Sequence, residues 1–369
     1  MPLKKISDLP RNVTLQLTES CNLRCKMCYY WGETGSYSNA ETSRKPKVLD
    51  FELLKTVLHL LSTVKPFYSL FGGEPLLYPQ LEDLILTVKG LGSLIDTPTN
   101  GTMLEEKASM LVRTGFDSVR ISIDGPHEIN DIQRGKGTFD KAMAGIETLY
   151  NEKLKSGRHT PIIGVLYTIT PLNYHSIEQF FLEDLNLSSI DRVTFQMENF
   201  LTAEMGESYS NFLKSEFNIT NDKYWRGFLR SPEYFNDINT IELARQVNKV
   251  HEKLELLGKE VILLPPTISQ ENLSAYLKAD WNRMKDRYYS CLVPWYSVEI
   301  TASGEVAPCH IFYDLTLGNL HEQSFEEIWN GDKYQKFREY ILQNKFISVC
   351  AGCCILYLAG RKLDNDIIR

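Results

Sequence analysis

The sequence lacks the surplus of positive charge that a nucleic-acid-binding protein carries. Its 369 residues contain 40 lysines and arginines against 47 aspartates and glutamates, which gives a formal net charge of -7. Binding to a phosphate backbone depends on basic side chains that displace counterions. We therefore expect no nucleic-acid partner.

Long hydrophobic runs are also missing. No apolar stretch reaches the roughly 20 residues that a transmembrane helix needs, and the first residues, Met-Pro-Leu-Lys-Lys, lack the apolar core of a signal peptide. We therefore expect a cytoplasmic protein with no membrane partner. Because disulfides are rare in the cytoplasm, the 8 cysteines are expected to bind metals or to react as thiols.

A fourth cysteine or histidine is missing beside the first three cysteines. Cys21, Cys25 and Cys28 have the spacing C-x3-C-x2-C, and the nearest histidine is His59. A zinc knuckle, the alternative, wants a fourth ligand nearby. Three thiolates on one loop can instead bind three irons of a cubane cluster and leave the fourth iron open to an external ligand.

The remaining cysteines form a second group, after more than 260 residues without one. This segregation predicts two separate metal centres. The members of the second group are Cys291, Cys309, Cys350, Cys353 and Cys354.

Short β-branched runs alternate with longer helical patterns between residues 13 and 197, which predicts a parallel βα array. Asp50 is a predicted N-cap for the first helix. Strands are predicted at Val13–Thr18, Phe67–Phe71, Leu94–Thr99, Ser118–Asp124, Ile162–Thr170 and Arg192–Met197. Later helices are predicted at Leu81–Leu91, Leu104–Thr114, Phe139–Leu154 and Ser176–Leu185.

The cysteine loop and two later strand ends together resemble the radical S-adenosylmethionine (radical SAM) superfamily. The motifs are Phe71-Gly72-Gly73-Glu74-Pro75 after the second strand and Ile121-Ser122-Ile123-Asp124-Gly125 after the fourth, followed by Arg134. The resemblance implies an α/β fold with a partial (β/α)6 barrel over residues 1–199. It also implies that SAM chelates the open iron of a [4Fe-4S] cluster and is cleaved to a 5′-deoxyadenosyl radical.

The resemblance further implies which residues bind SAM, although a turn role for Asp124 before Gly125 stays open. Met27 replaces a usually aromatic residue beside adenine, and Arg134 pairs with the SAM carboxylate because its planar fork suits that group. The segment after the second strand holds the amino group of SAM, and residues at the end of the fourth strand contact its ribose hydroxyls. The cofactor-binding residues are then Met27, Gly72, Gly73, Glu74, Ser122, Asp124 and Arg134.

The C-terminal cysteines follow the order C-x17-C, forty residues, C-x2-C, with a turn predicted at Ala302-Ser303-Gly304. This region resembles the SPASM/Twitch extension of radical SAM enzymes, in its shorter form with one auxiliary [4Fe-4S] cluster. We expect a small α+β domain over residues 286–369, after a helical connecting segment over 200–285. The implied ligands are Cys291, Cys309, Cys350 and Cys353, with a structural zinc as the alternative.

Two further residues have predicted catalytic roles. His310 follows a cluster cysteine, at a position that carries an acid in sulfatase maturases, and its imidazole could accept a proton. The alternative is a histidine that lies on the surface or next to the cluster ligands and has no catalytic role. Cys354 is a buried thiol, a replacement cluster ligand or a hydrogen-atom donor.

These motifs predict an oxidoreductase that abstracts a hydrogen atom and passes an electron to the auxiliary cluster. Oxidation of a sugar or cyclitol carbinol is the first expectation, because the barrel begins too early for a peptide-recognition domain before it. Peptide modification, epimerisation through Cys354 and a non-catalytic electron carrier are the alternatives. A flavodoxin or ferredoxin is the expected electron donor.

Overall fold

A long, mainly parallel β-sheet is the centre of the fold in the computed structural model. The model describes residues 9–37, 45–284, 290–309, 313–353, 356–357 and 360–361. In this part of the chain a 10-stranded sheet has the order β11-β10-β9-β1-β2-β3-β4-β5-β6-β7, and β12 pairs with β8 in a separate two-stranded ribbon. The strands are β1 Asn12–Thr18, β2 Phe67–Gly72, β3 Leu94–Thr99, β4 Ser118–Ser122, β5 Ile162–Ile169, β6 Arg192–Met197, β7 Glu260–Leu264, β8 Ser290–Cys291, β9 Ser297–Ile300, β10 Glu305–Ala307, β11 Gly318–Asn319 and β12 Gly360–Arg361.

Helices follow the parallel strands and cover the outside of the curved sheet. The predicted alternation of strands and helices is confirmed, and all six predicted strands are present within two residues of their expected ends. The helices are α1 Phe51–Leu61, α2 Leu81–Gly90, α3 Leu104–Thr114, α4 His127–Arg134, α5 Thr138–Ser156, α6 Ile177–Gln179, α7 Ala203–Phe217, α8 Thr240–Leu256, α9 Gln270–Leu277, α10 Val293–Tyr296, α11 Phe325–Asn330 and α12 Asp332–Asn344.

Local signals in the sequence explain where these elements begin and which face they bury. Asp50 caps α1 as expected, because its side chain accepts hydrogen bonds from the backbone N–H groups of Glu52 and Leu53. The residues of α1 at helical spacing, Leu54, Val57, Leu58 and Leu61, are buried. The helix therefore packs its apolar stripe against the sheet.

Two aspartates repeat one arrangement where strands begin. Asp117, just before β4, accepts a hydrogen bond from Ile95 N–H of β3 at 2.9 Å and is bonded by the ammonium group of Lys89 at 2.7 Å. Asp191, just before β6, accepts from Ile163 N–H of β5 at 2.8 Å and from Lys153 at 2.9 Å. Each carboxylate thus joins two neighbouring strands to the helix that precedes one of them.

Strands from outside the predicted barrel extend the sheet at both edges. Residues 200–285 were expected to be helical, but they also contain β7, which pairs parallel to β6. At the other edge β9 pairs parallel to β1, with Asn12 opposite Ser297 and Leu15 opposite Ile300. The barrel wall is therefore made by three parts of the chain.

The C-terminal region contains the predicted hairpin. β9 and β10 pair antiparallel, and Gly304 in the connecting turn has a φ of 76°, a value that favours glycine. Ser324 and Glu327 form a capping box that starts α11. Among the described residues, no helix is both long and apolar enough to cross a membrane.

Candidate active site

The cysteine loop directly after β1 brings three thiols together at the mouth of the barrel. The Cys21 sulfur accepts a hydrogen bond from Leu23 N–H at 3.4 Å, and the Cys28 sulfur accepts one from Trp31 N–H at 3.3 Å. Burial raises the pKa of Cys21 to about 11 and that of Cys25 to about 12. Because metal binding requires thiolates, these soft ligands fit a site in which iron displaces the protons.

Two glycines at the end of β2 lie against this loop. A Cβ atom on Gly73 would be 2.0 Å from the carbonyl oxygen of Ser20, and one on Gly72 would be 2.2 Å from that of Thr18. Gly73 N–H donates to Thr18 and Glu74 N–H to Ser20, both at 2.8 Å. Only glycine permits this close approach, so the two predicted residues position the cysteine loop on the sheet.

Glu74 is fully enclosed and joins the ends of β2 and β3. Its carboxylate accepts hydrogen bonds from Thr99 Oγ1 at 2.7 Å, from Asn100 N–H at 2.8 Å and from Leu76 N–H at 3.1 Å. Burial raises its pKa, and these hydrogen bonds oppose the shift. Asn100 in turn donates to Asn22 of the cysteine loop at 2.8 Å, so Glu74 also supports that loop.

Asp124 and Arg134 form a buried ion pair beside the thiols. Arg134 Nε lies 2.6 Å from Asp124 Oδ2, and Arg134 Nη1 donates to the Cys25 sulfur at 3.9 Å. Asp124 is fully buried and accepts from Thr168 N–H at 2.8 Å and from Gln133 at 2.7 Å. Ser122 and Arg134 line the cavity described next, whereas Asp124 lies behind its wall and orients the guanidinium.

A cavity of about 540 Å³ fills the inside of the barrel. It brings together almost all the side chains expected to bind the first cluster and SAM, and it also reaches Cys309 of the C-terminal region. The predicted residues that line it are Cys21, Cys25, Met27, Cys28, Gly72, Gly73, Glu74, Ser122 and Arg134.

The cavity wall also contains charged residues outside the SAM-binding and cysteine motifs, of which only Glu198, at the end of the sixth strand, was a candidate for substrate contact from the sequence. Asp96 on β3, Arg120 on β4 and Glu299 on β9 all line it. Glu198, directly after β6, is paired with Arg230 at 2.9 Å. Burial raises the pKa of Glu198 to about 7, against the opposing effect of Arg230. The available signal for Asp96 and Arg120 was that each is a charged residue in the middle of a short predicted strand.

Four cysteines of the C-terminal site lie in the described part of the chain, namely Cys291, Cys309, Cys350 and Cys353. Burial raises the pKa of Cys350 well above its ordinary value, and the nearby thiols of Cys291 and Cys309 add to the shift. Cys353 follows Cys350 closely in the sequence and is buried, and its N–H donates to Cys350 O at 3.1 Å. The predicted residues His310 and Cys354 lie outside the described residues.

Both thiol sets fit iron–sulfur clusters by the chemistry of their donors. In the described ranges no three His, Cys, Asp or Glu side chains converge as ligands of a single metal ion. A four-iron cluster instead takes one thiolate per iron and holds these ligands apart. The soft and uniformly sulfur donor sets, most of them partly buried, match that requirement.

Comparisons with known proteins agree with both sites. The family model described as the radical SAM superfamily matches residues 15–182, and the SPASM model, described as an iron–sulfur cluster-binding domain, matches residues 291–354.

Relatives align along most of the chain. The chain is 26% identical to the tungsten-containing aldehyde ferredoxin oxidoreductase cofactor-modifying protein of Pyrococcus furiosus, over 92% of this chain and 86% of that one. It is 24% identical to the AdoMet-dependent heme synthase of Oleidesulfovibrio alaskensis, over 93% and 80%. The fold matches the crystal structure of Streptococcus suis SuiB bound to precursor peptide SuiA with a TM-score of 0.62 and 15% identity, over 98% of this chain and 77% of that one.

Proposed function

Because this chain belongs to the radical SAM superfamily and has a C-terminal SPASM domain, we propose that it oxidises an organic substrate held between two iron–sulfur clusters. Its cofactors are SAM, a [4Fe-4S] cluster and an auxiliary [4Fe-4S] cluster. In the proposal Cys21, Cys25 and Cys28 hold the first cluster. Cys291, Cys309, Cys350 and Cys353 hold the second.

One observation carries this proposal: a single cavity is lined by the three thiols of the first site and by Cys309 of the second. In this proposal a substrate bound in that cavity lies beside both metal sites. It can therefore lose a hydrogen atom to the 5′-deoxyadenosyl radical and an electron to the auxiliary cluster without moving.

The residues of the chain then have distinct tasks. When bound and reduced, the first cluster supplies the electron that cleaves SAM to methionine and a 5′-deoxyadenosyl radical. Met27, Glu74, Ser122 and Arg134 hold SAM beside the thiols. Glu198 accepts the proton that the substrate loses, because a carboxylate with a pKa of about 7 can take up and release a proton near neutral pH.

We propose a small organic precursor as the substrate, and a peptide as the second candidate. The names of the two relatives refer to modification of a cofactor and to heme synthesis, and they give no support to the expected sugar or cyclitol. The peptide candidate is supported by the fold shared with SuiB, whose structure contains a precursor peptide. A mass spectrum of the product separates the two substrate classes.

An acidic flavodoxin or ferredoxin is the proposed electron donor. Arg24 and Lys26 are exposed on the cysteine loop itself, so an acidic protein that docks there approaches the first cluster closely. The proposal requires the reducing environment of the cytoplasm.

Anaerobic reconstitution with iron and sulfide tests the proposal. We expect about eight irons per chain, since each site takes a four-iron cluster, and formation of 5′-deoxyadenosine when dithionite and SAM are added. Cys350→Ala should retain about four irons and still cleave SAM. Zinc at the first site, or no 5′-deoxyadenosine from the fully loaded protein, would reject the proposal.

A further inference from the structure

Three polar residues on adjacent strands form a layer deep in the cavity, below the ends of the strands that carry Gly72 and Ser122. Ser69 is the third residue of β2, Asp96 of β3 and Arg120 of β4, and all three line the cavity. Ser69 and Asp96 are direct partners in the sheet. The layer therefore belongs to the same space as the cluster thiols.

A single nitrogen of Arg120 makes both of its contacts to this layer. Arg120 Nη2 lies 3.0 Å from Asp96 Oδ2 and donates a hydrogen bond to Ser69 Oγ at 3.2 Å. Within the described residues, Nε is buried without a hydrogen-bond partner, and Nη1 makes no hydrogen bond. Asp96 and Ser69 thus hold Nη2 and leave Nη1 as the donor for a ligand.

The exposed fractions of the charged side chains show which of them is most accessible from the cavity. The side chain of Arg120 is 30% exposed, compared with 8% for Asp96, 9% for Arg134 and 3% for Glu198. The acidic groups are thus enclosed in the wall, and the guanidinium is the charged group most open to the cavity. A ligand there meets a positive charge first.

A charged layer inside a barrel needs a reason, because a buried ion pair is often no more stable than apolar packing of the same volume. A guanidinium N–H donates a strong, charge-assisted hydrogen bond to a carboxylate. We propose that Arg120 binds a carboxylate group of the substrate, and that Asp96 and Ser69 position it for this task. This inference rests on the proposed function, since it concerns the substrate of the same cavity.

Ligand-observed NMR on the reconstituted, SAM-saturated protein tests this assignment. The probes are hexanoate and hexanamide, which share length and shape and differ in charge. SAM occupies Arg134, so the second arginine is not available to the probe. We expect hexanoate to bind about tenfold more tightly than hexanamide, the ratio for one charge-assisted hydrogen bond of about 1.4 kcal/mol.

The double variant Asp96→Asn/Arg120→Gln removes both charges together, so that no unpaired carboxylate is left in the wall. We expect it to bind the two probes equally, while thermal unfolding checks that it is folded. The matched control is Arg113→Gln, an exposed arginine on α3 paired with Glu82, which should keep the preference for hexanoate.

Two results would overturn the assignment: equal binding of the two probes by the unaltered protein, or an undiminished preference for hexanoate in the folded double variant. The proposed function fails separately, by absence of 5′-deoxyadenosine in the unaltered protein. A carboxylate site without SAM cleavage would therefore leave Arg120 as a ligand-binding residue of a different reaction.

Discussion

At the scale of single residues, Glu198 makes the stability of the protein depend on pH with a defined sign. Its pKa is raised from 4.5 to about 7 by burial, so between these values the folded state holds a proton that the unfolded state has released. This contribution is complete below pH 4.5 and is lost as the pH rises through about 7.

Glu198→Gln should remove this dependence. Between about pH 5.5 and 7.5 we expect the free energy of unfolding of the unaltered protein to fall by about 1–2 kcal/mol more than that of the variant. Denaturant unfolding at the two pH values measures the difference. If the free energies of unfolding of the two proteins changed equally with pH, burial of this carboxylate would have no such effect.

Glu74→Gln tests the residue that joins β2 to β3. The amide keeps one oxygen, but its NH₂ group cannot accept the hydrogen bonds that the second carboxylate oxygen accepts. We therefore expect a loss of about 1–3 kcal/mol in the free energy of unfolding and weaker binding of SAM. Calorimetric titration with SAM and denaturant unfolding measure the two effects. Glu82→Gln, at an exposed position on α2, is the control and should change neither.

The sequence allowed much of the site to be predicted at this scale, because cysteine spacing and glycines at strand ends reflect local chemistry. Cys21 and Gly73 were found in this way. Asp96 and Arg120 were not, since their role depends on which face of a strand turns inward and on what else lines the cavity. The roles of His310 and Cys354 stay predictions.

At the scale of elements, the aspartates that precede β4 and β6 hold strands and helices together. Asp117→Asn and Asp191→Asn should each destabilise the protein by about 1–3 kcal/mol, because each loses the charge that pairs with a lysine and that strengthens a backbone hydrogen bond. Thermal or denaturant unfolding measures the cost. Asp140→Asn, at an exposed residue of α5, should be neutral; equal effects at all three positions would refute the argument.

The elements of the barrel were predictable because each carries its own signal. Short runs with β-branched residues predicted β3 and β6, and a capping aspartate predicted the start of α1. β7 was missed because Glu260–Leu264 is short, half-exposed and follows a long helix, so its strand state comes from the free edge of β6 rather than from its own pattern.

At the scale of the whole molecule, the C-terminal region completes the barrel by adding β9 to the open edge of β1. A chain that ends at residue 284 should therefore expose the unpaired edge of β1 and aggregate. Size-exclusion chromatography of the truncated and full chains, handled identically, tests this. If the truncated chain were monomeric and folded, β9 would not be needed to protect the edge of β1.

The pairing of β9 with β1 could not be predicted, because no local pattern states which distant strand will occupy an edge. The two cysteine groups did indicate two metal centres. They gave no indication that one cavity would touch both.

The partnership between Asn12–Leu15 and Ser297–Ile300 also concerns the order in which a cell can build the molecule. The first of these strands leaves the ribosome long before its neighbour has been translated, so its edge stays unpaired while the residues between the two strands are synthesised. An unpaired strand edge can pair with other chains, so this edge is open to misassembly for the whole of that interval.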